Sequence, residues 1–191
     1  MDNQESNHLQ STALIGYWSS LLAIVFVLLH SILYYPVIKF GLGPMEKFNV
    51  ESYAMLWIQS GILKNGFLPQ AAALMVMLLI LSTSACFYVS APPHKKIFAL
   101  LSLCFMIMAN TSLSMGYFAN WTCFPRSALA GDFSGLAQYT EGNINSFVFA
   151  ILVLSFHLLT NIGIVLLAPI FISNKRDKII GILFVIIYYK R

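Results

Sequence analysis

The sequence predicts an all-α integral membrane protein, a four-helix bundle with a short fifth apolar segment at its C-terminus. Three observations predict it. Of the 191 residues, 59% are hydrophobic and 9% charged, against about 45–50% and about 25% in soluble domains. The mean hydropathy is +0.78. The charged side chains are also segregated, leaving four long stretches without Asp, Glu, Lys or Arg. A chain this poor in polar residues cannot cover a water-facing surface, so lipid is the expected solvent for much of it. A soluble enzyme, a DNA-binding module and a disordered tail are excluded.

A helix needs about 20 mostly apolar residues to cross a hydrocarbon core of about 30 Å. The first span is expected at residues 14–34, inside a charge-free run between Glu5 and Lys39. Its N-terminal flank holds Asp2 and Glu5 and no Lys or Arg. The apolar run also exceeds the core of a signal peptide, about 7–15 residues, so the span reads as a retained helix. The second span is expected at 67–90, with Pro69 in its first turn. The third follows at 97–121 and the fourth at 144–172, with Pro169 near its end. Pro92-Pro93 stiffens the turn between the second and third, which predicts an antiparallel hairpin. The fifth apolar segment, 179–189, spans about 16 Å at the helical rise, roughly half the core. It lacks a polar face and reads as the beginning of a longer helix, the alternatives being an interfacial piece or one packed back on the bundle. No repeat or second domain interrupts 1–191.

Loop charge sets an orientation. The two short connections Ala91–Lys96 and Ser173–Lys178 carry Lys95, Lys96, Lys175, Arg176 and Lys178. The two long loops opposite, 35–66 and 122–143, carry only Lys39, Lys47, Lys64 and Arg126. The positive-inside rule places the dense side, and with it the N-terminus, in the cytoplasm. In the first long loop, Tyr53, Leu56, Trp57 and Gln59 suggest a short interfacial helix with Trp57 at headgroup level; an irregular capping loop is the alternative. In the second, the Ser127–Leu129 turn, Gly131-Asp132 and Gly135 followed by Leu136-Ala137 suggest short helical pieces joined by glycines.

Polar residues inside spans are the candidate functional ones. Asn110 on the third helix and His157 and Asn161 on the fourth fall near mid-depth. His157 and Asn161 are four apart, as are Asn110 and Ser114, a spacing that puts each pair on one helical face. The four predict one interhelical network, either a ligand-binding site or hydrogen bonds that fix packing. On the outer loop, Arg126, Asp132 and Glu141 are headgroup-binding candidates, a salt-bridged loop being the alternative. Asn120-Trp121-Thr122 matches a glycosylation sequon but abuts the membrane.

No catalytic or metal constellation is predicted. GxSxG, HExxH and CxxC are missing from the sequence. Cys86, Cys104 and Cys123 read as small buried hydrophobes. His30 and His157 differ in expected depth by about 9 Å at the helical rise, so they cannot ligate one haem iron, and no cofactor is expected. No run of basic residues supports nucleic-acid binding.

The stretch 117–171 carries Pro125, Gly131-Asp132-x-x-Gly135-Leu136 and, at the end of the fourth span, Ala168-Pro169-Ile170-Phe171. In these it resembles a family of uncharacterised bacterial multi-pass membrane proteins. The resemblance implies one or two further helices, in keeping with 179–189 as a helix beginning. Those proteins often carry an acidic residue early in the last helix of this stretch, where this chain is neutral. No activity comes with the likeness.

The expected function is a non-enzymatic bundle in the cell membrane, a bacterial inner membrane on the likeness above. It would act through a protein partner or a lipid-like ligand, alone or as a homo-oligomer. The alternatives are a transporter subunit with a site at mid-depth and a membrane enzyme or redox protein.

Overall fold

The computed structural model describes residues 3–41, 49–59, 67–140, 142–171 and 179. Glu141, the rest of 179–189 and the side chains of Leu56, Trp57 and Gln59 lie outside the described residues. The described residues contain helices and turns and no strand. Four helical stretches are long and apolar enough to cross a membrane: Asn7–Leu33, Ala71–Ser90, Pro93–Ala130 and Phe147–Phe171.

Helix α1 covers Asn3–Gly41, longer at both ends than the apolar run that predicts it. Helix α2, Val50–Gln59, is the short helix expected within the first long loop. The Asn49 side chain accepts the Ser52 N–H at 2.9 Å and caps its start. Helix α3 is Phe67–Ser90. A single 3-10 turn, Pro93–Lys95, then leads into α4, Lys96–Ala130.

Helix α4 continues well past Trp121 and holds Pro125 in its interior, where the sequence predicts a loop. A proline inside a helix costs about 3 kcal/mol, through a lost hydrogen bond and a carbonyl clash. Here the flanking residues Phe124 and Ala128 are buried in a core, and that burial outweighs the local penalty. Ser127–Leu129 is accordingly the last turn of α4 and not a separate one.

The last span changes pitch along its length. Helix α5 is Phe147–Val153; residues Leu154–Leu159 form a π-helix; α6 is Thr160–Leu167; Ala168–Phe171 closes as a 3-10 turn. The Thr160 hydroxyl donates to the Ser155 carbonyl at 2.7 Å, five residues back, within the wider turn.

The chain forms two compact units from interleaved segments. The first comprises Met1–Ala23, Met77–Asn110 and Ser155–Arg191. In it α1 turns small residues inward: Thr12, Ser19 and Ala23 are buried, and Gly16 lies where a Cβ would come within 3.2 Å of the Cys86 Cβ. Its large side chains Leu14, Ile15, Trp18, Leu21 and Leu22 are exposed. On α4 the buried positions Ala99, Ser102, Met106 and Ala109 repeat every three or four residues, a helical contact stripe. The Met106 side chain fills the space beside Gly163, where a Cβ would meet its Cε at 2.9 Å.

The second unit comprises Ile24–Val76 and Thr111–Leu154. Tyr53 and Ala54 of α2 join Phe124, Ala128 and Leu136 in one buried cluster. The Tyr53 and Phe124 rings meet edge-on at 5.6 Å. Helix α4 ends in a Schellman cap. Gly131, at φ 69°, donates to the Ala128 carbonyl, and Asp132 donates to that of Ser127. Gly135, at φ 68°, starts the 3-10 turn Leu136–Tyr139. Both glycines sit in the left-handed region that an L side chain resists. The Ser146 hydroxyl caps α5, accepting the Phe149 N–H at 3.0 Å and donating to the Thr140 carbonyl at 2.6 Å. The fourth span therefore begins at Phe147, the residues from Ile144 to Ser146 belonging to its cap.

Two cysteines depart from expectation. Cys104 and Cys123 are exposed and only Cys86 is half-buried, because the inward stripe of α4 passes through Ser102, Met106 and Phe124 and leaves both thiols on other faces.

Candidate functional site

The hydroxyl side chains of the first unit are largely spent on their own helices. In an apolar setting a hydroxyl with no partner is costly, and the carbonyl four residues back is the nearest acceptor. Thr12 donates to His8 at 2.9 Å, Ser20 to Gly16 at 2.8 Å and Thr83 to Leu79 at 2.9 Å. Ser20 and Thr83 also touch each other at 3.3 Å, linking α1 to α3.

These residues line a groove of about 460 Å³, within the range of small-ligand sites. Its apolar walls include Tyr17, Cys86, Phe87, Ile170 and Phe171, with Thr12, Ser20, Thr83 and Ser90 among them. The Phe87 and Phe171 rings pack edge-on at 5.4 Å and brace one wall. Three of the five wall hydroxyls, those of Thr12, Ser20 and Thr83, already spend their hydrogen on a carbonyl, so few free donors remain on a mostly apolar lining. The groove suits a flexible hydrocarbon better than a sugar or nucleotide.

The rim is different in kind. Ser90 ends α3, and the next turn presents His94, Lys95 and Lys96. The Lys95 ammonium donates to the carbonyl of Ile170, a wall residue, at 3.2 Å. Lys96 lies over the Tyr88 ring at 5.2 Å.

The network expected at mid-depth is not assembled. Asn110 and Asn161 are both buried in the first unit. Each donates its amide to its own helix, Asn110 to Met106 at 2.9 Å and Asn161 to the His157 carbonyl at 2.7 Å. The His157 side chain is exposed, as is Ser114. Four-residue spacing keeps His157 and Asn161 neighbours along the helix, but the edge of the buried face runs between them, with Asn161 inside it and His157 outside. On α4 the buried positions near Asn110 are Ala109, Leu113 and Tyr117, and Ser114 falls beside that stripe. Among the described residues no group of three His, Cys, Asp or Glu side chains comes together.

On the outer loop Arg126 is exposed, and the exposed Asp132 accepts the Ser134 N–H at 3.0 Å in a local turn. Glu141 lies outside the described residues. Within 117–171, the Gly131, Asp132 and Gly135 pattern serves a helix cap and a turn. Comparison with known protein families, curated proteins and solved structures finds no match to this chain.

Nothing in the charge pattern marks the groove. The signal in the sequence is a line of small residues, Thr12, Gly16, Ser19 and Ala23, spaced by four, three and four along an otherwise bulky helix.

Proposed function

We propose that the protein is a non-enzymatic, multi-pass integral membrane protein that holds a lipid-like hydrocarbon chain in the groove of its first unit. The observation that carries this is the inverted distribution of side chains on α1. Leu14, Ile15, Trp18 and Leu22 face outward, while Thr12, Ser19 and Ala23 are buried. Such a helix is stable only in an apolar solvent, where small residues drive helix contact and large ones meet lipid. The groove then opens to a phase made of acyl chains. On this reading the protein sits in the cell membrane, with its lysine-rich turns and N-terminus on the cytoplasmic side.

Two experiments test the reading. The protein should stay with membranes through alkaline carbonate washing; release into the supernatant overturns the membrane assignment. In delipidated detergent solution, diacylglycerol should raise the melting temperature of the full chain. Ala13→Phe fills the groove from an exposed position and should remove that rise while the variant stays helical. An unchanged rise in the variant overturns the groove as the binding site.

A further inference from the structure

We infer that the occupant of the groove is an anionic glycerophospholipid, with one acyl chain along the walls and its phosphate on Lys95. This rests on the groove being a hydrocarbon site, and it names the headgroup class.

The described residues around the rim supply cations and no carboxylate. Between Glu51 and Asp132 the sequence has no acidic residue. Among the described residues neither Lys95 nor Lys96 forms an ion pair with a carboxylate. Lys95 is half-buried and Lys96 exposed. An ammonium has three donors, and Lys95 uses one of them on the Ile170 carbonyl at 3.2 Å. That bond fixes a cation directly on the groove wall and leaves donors for a phosphate oxygen. Lys96 is held over the Tyr88 ring, on the side of α3 away from the wall residues Thr83, Phe87 and Ser90. The turn that carries both is stiff: it starts at Pro92-Pro93, and the Lys95 N–H donates to the Pro92 carbonyl at 2.9 Å. The Lys95 ammonium is therefore positioned before a ligand arrives, which lowers the entropy lost on binding. A cationic edge on an apolar groove between helices is the complement of an anionic lipid.

Phosphatidylglycerol and diacylglycerol with the same acyl chains separate the two parts of the site. Native mass spectrometry of the full chain in neutral detergent gives both affinities. Phosphatidylglycerol should bind roughly fivefold more tightly, Lys95→Gln should remove most of that ratio, and Lys96→Gln should leave most of it. Lys95→Arg should keep most of it, which separates charge from folding. Ala13→Phe should weaken both lipids together. Equal affinities, a ratio unmoved by Lys95→Gln, or one lost equally in Lys96→Gln, overturn the headgroup assignment even where Ala13→Phe still weakens binding. Binding of both lipids untouched by Ala13→Phe overturns the groove itself. Glycerol phosphate at millimolar concentration should not displace phosphatidylglycerol; displacement assigns the rim to a soluble phosphate and overturns the lipid.

Discussion

Ser102 donates its hydroxyl hydrogen to the carbonyl oxygen of Gly163 at 2.7 Å, and both residues are buried. This bond joins α4 to α6 where Met106 fills the space left by the missing Cβ of Gly163. The two helices meet there through a small residue, a hydroxyl and a thioether. Gly163→Val should cost about 1–3 kcal/mol by overpacking, read as a fall in melting temperature in detergent. Met106→Ala in the same chain should recover part of that loss. A double-mutant cycle with no coupling between the two positions would contradict the packing described.

Asn120 is 1% exposed, and neither its amide nitrogen nor its oxygen has a hydrogen-bond partner among the described residues. An unsatisfied buried polar group costs about 1–3 kcal/mol. Asn120→Leu, close in volume, should raise the melting temperature. A marked fall would show that the amide is satisfied in the membrane. The same burial predicts that the Asn120-Trp121-Thr122 sequon stays unmodified in the folded chain, checked by expression in a glycosylating host.

Gly131 and Gly135 adopt φ of 69° and 68°, and open space surrounds both. Any penalty at these sites comes from the backbone alone. Alanine should cost about 1–2 kcal/mol at each, and asparagine less, since its side chain tolerates the left-handed region. Equal melting temperatures for the alanine and asparagine variants would argue that the cap relaxes to another conformation.

Ser146→Ala removes the acceptor for the Phe149 N–H and the donor to the Thr140 carbonyl. The expected loss is about 1–2 kcal/mol. Ser146→Asp restores the cap but not the second bond, and should recover a part. Hydrogen exchange at Phe149 checks this directly: it should quicken in the alanine variant and slow again in the aspartate one.

The long apolar helices were legible because runs such as Leu14–Leu33 and Ala71–Ser90 hold no charged side chain over the length that a membrane crossing needs. The ends of the spans were less so. Nothing local predicts that α4 runs through Pro125, since the compensation comes from Phe124 and Ala128 packing against Tyr53 of α2. The four polar residues at mid-depth show the limit of periodicity. His157 and Asn161 are neighbours along the helix, yet only Asn161 is buried, because the edge of the buried face is set by what packs against the helix and not by spacing. The groove was hidden for another reason. Its walls come from three segments far apart in sequence, and each contributes unremarkable residues such as Ser20, Thr83 and Ile170.

The inverted α1 also reverses the usual map of mutational tolerance. In a soluble amphipathic helix the bulky apolar positions are the sensitive ones and the small polar positions drift. Along α1 the outward Leu14, Ile15 and Leu22 can interchange with any side chain that lipid accepts. The quiet letters Thr12, Gly16, Ser19 and Ala23 are the ones that cannot grow. A homologue of this protein would thus be recognised by where its first helix stays small, more than by where it stays hydrophobic.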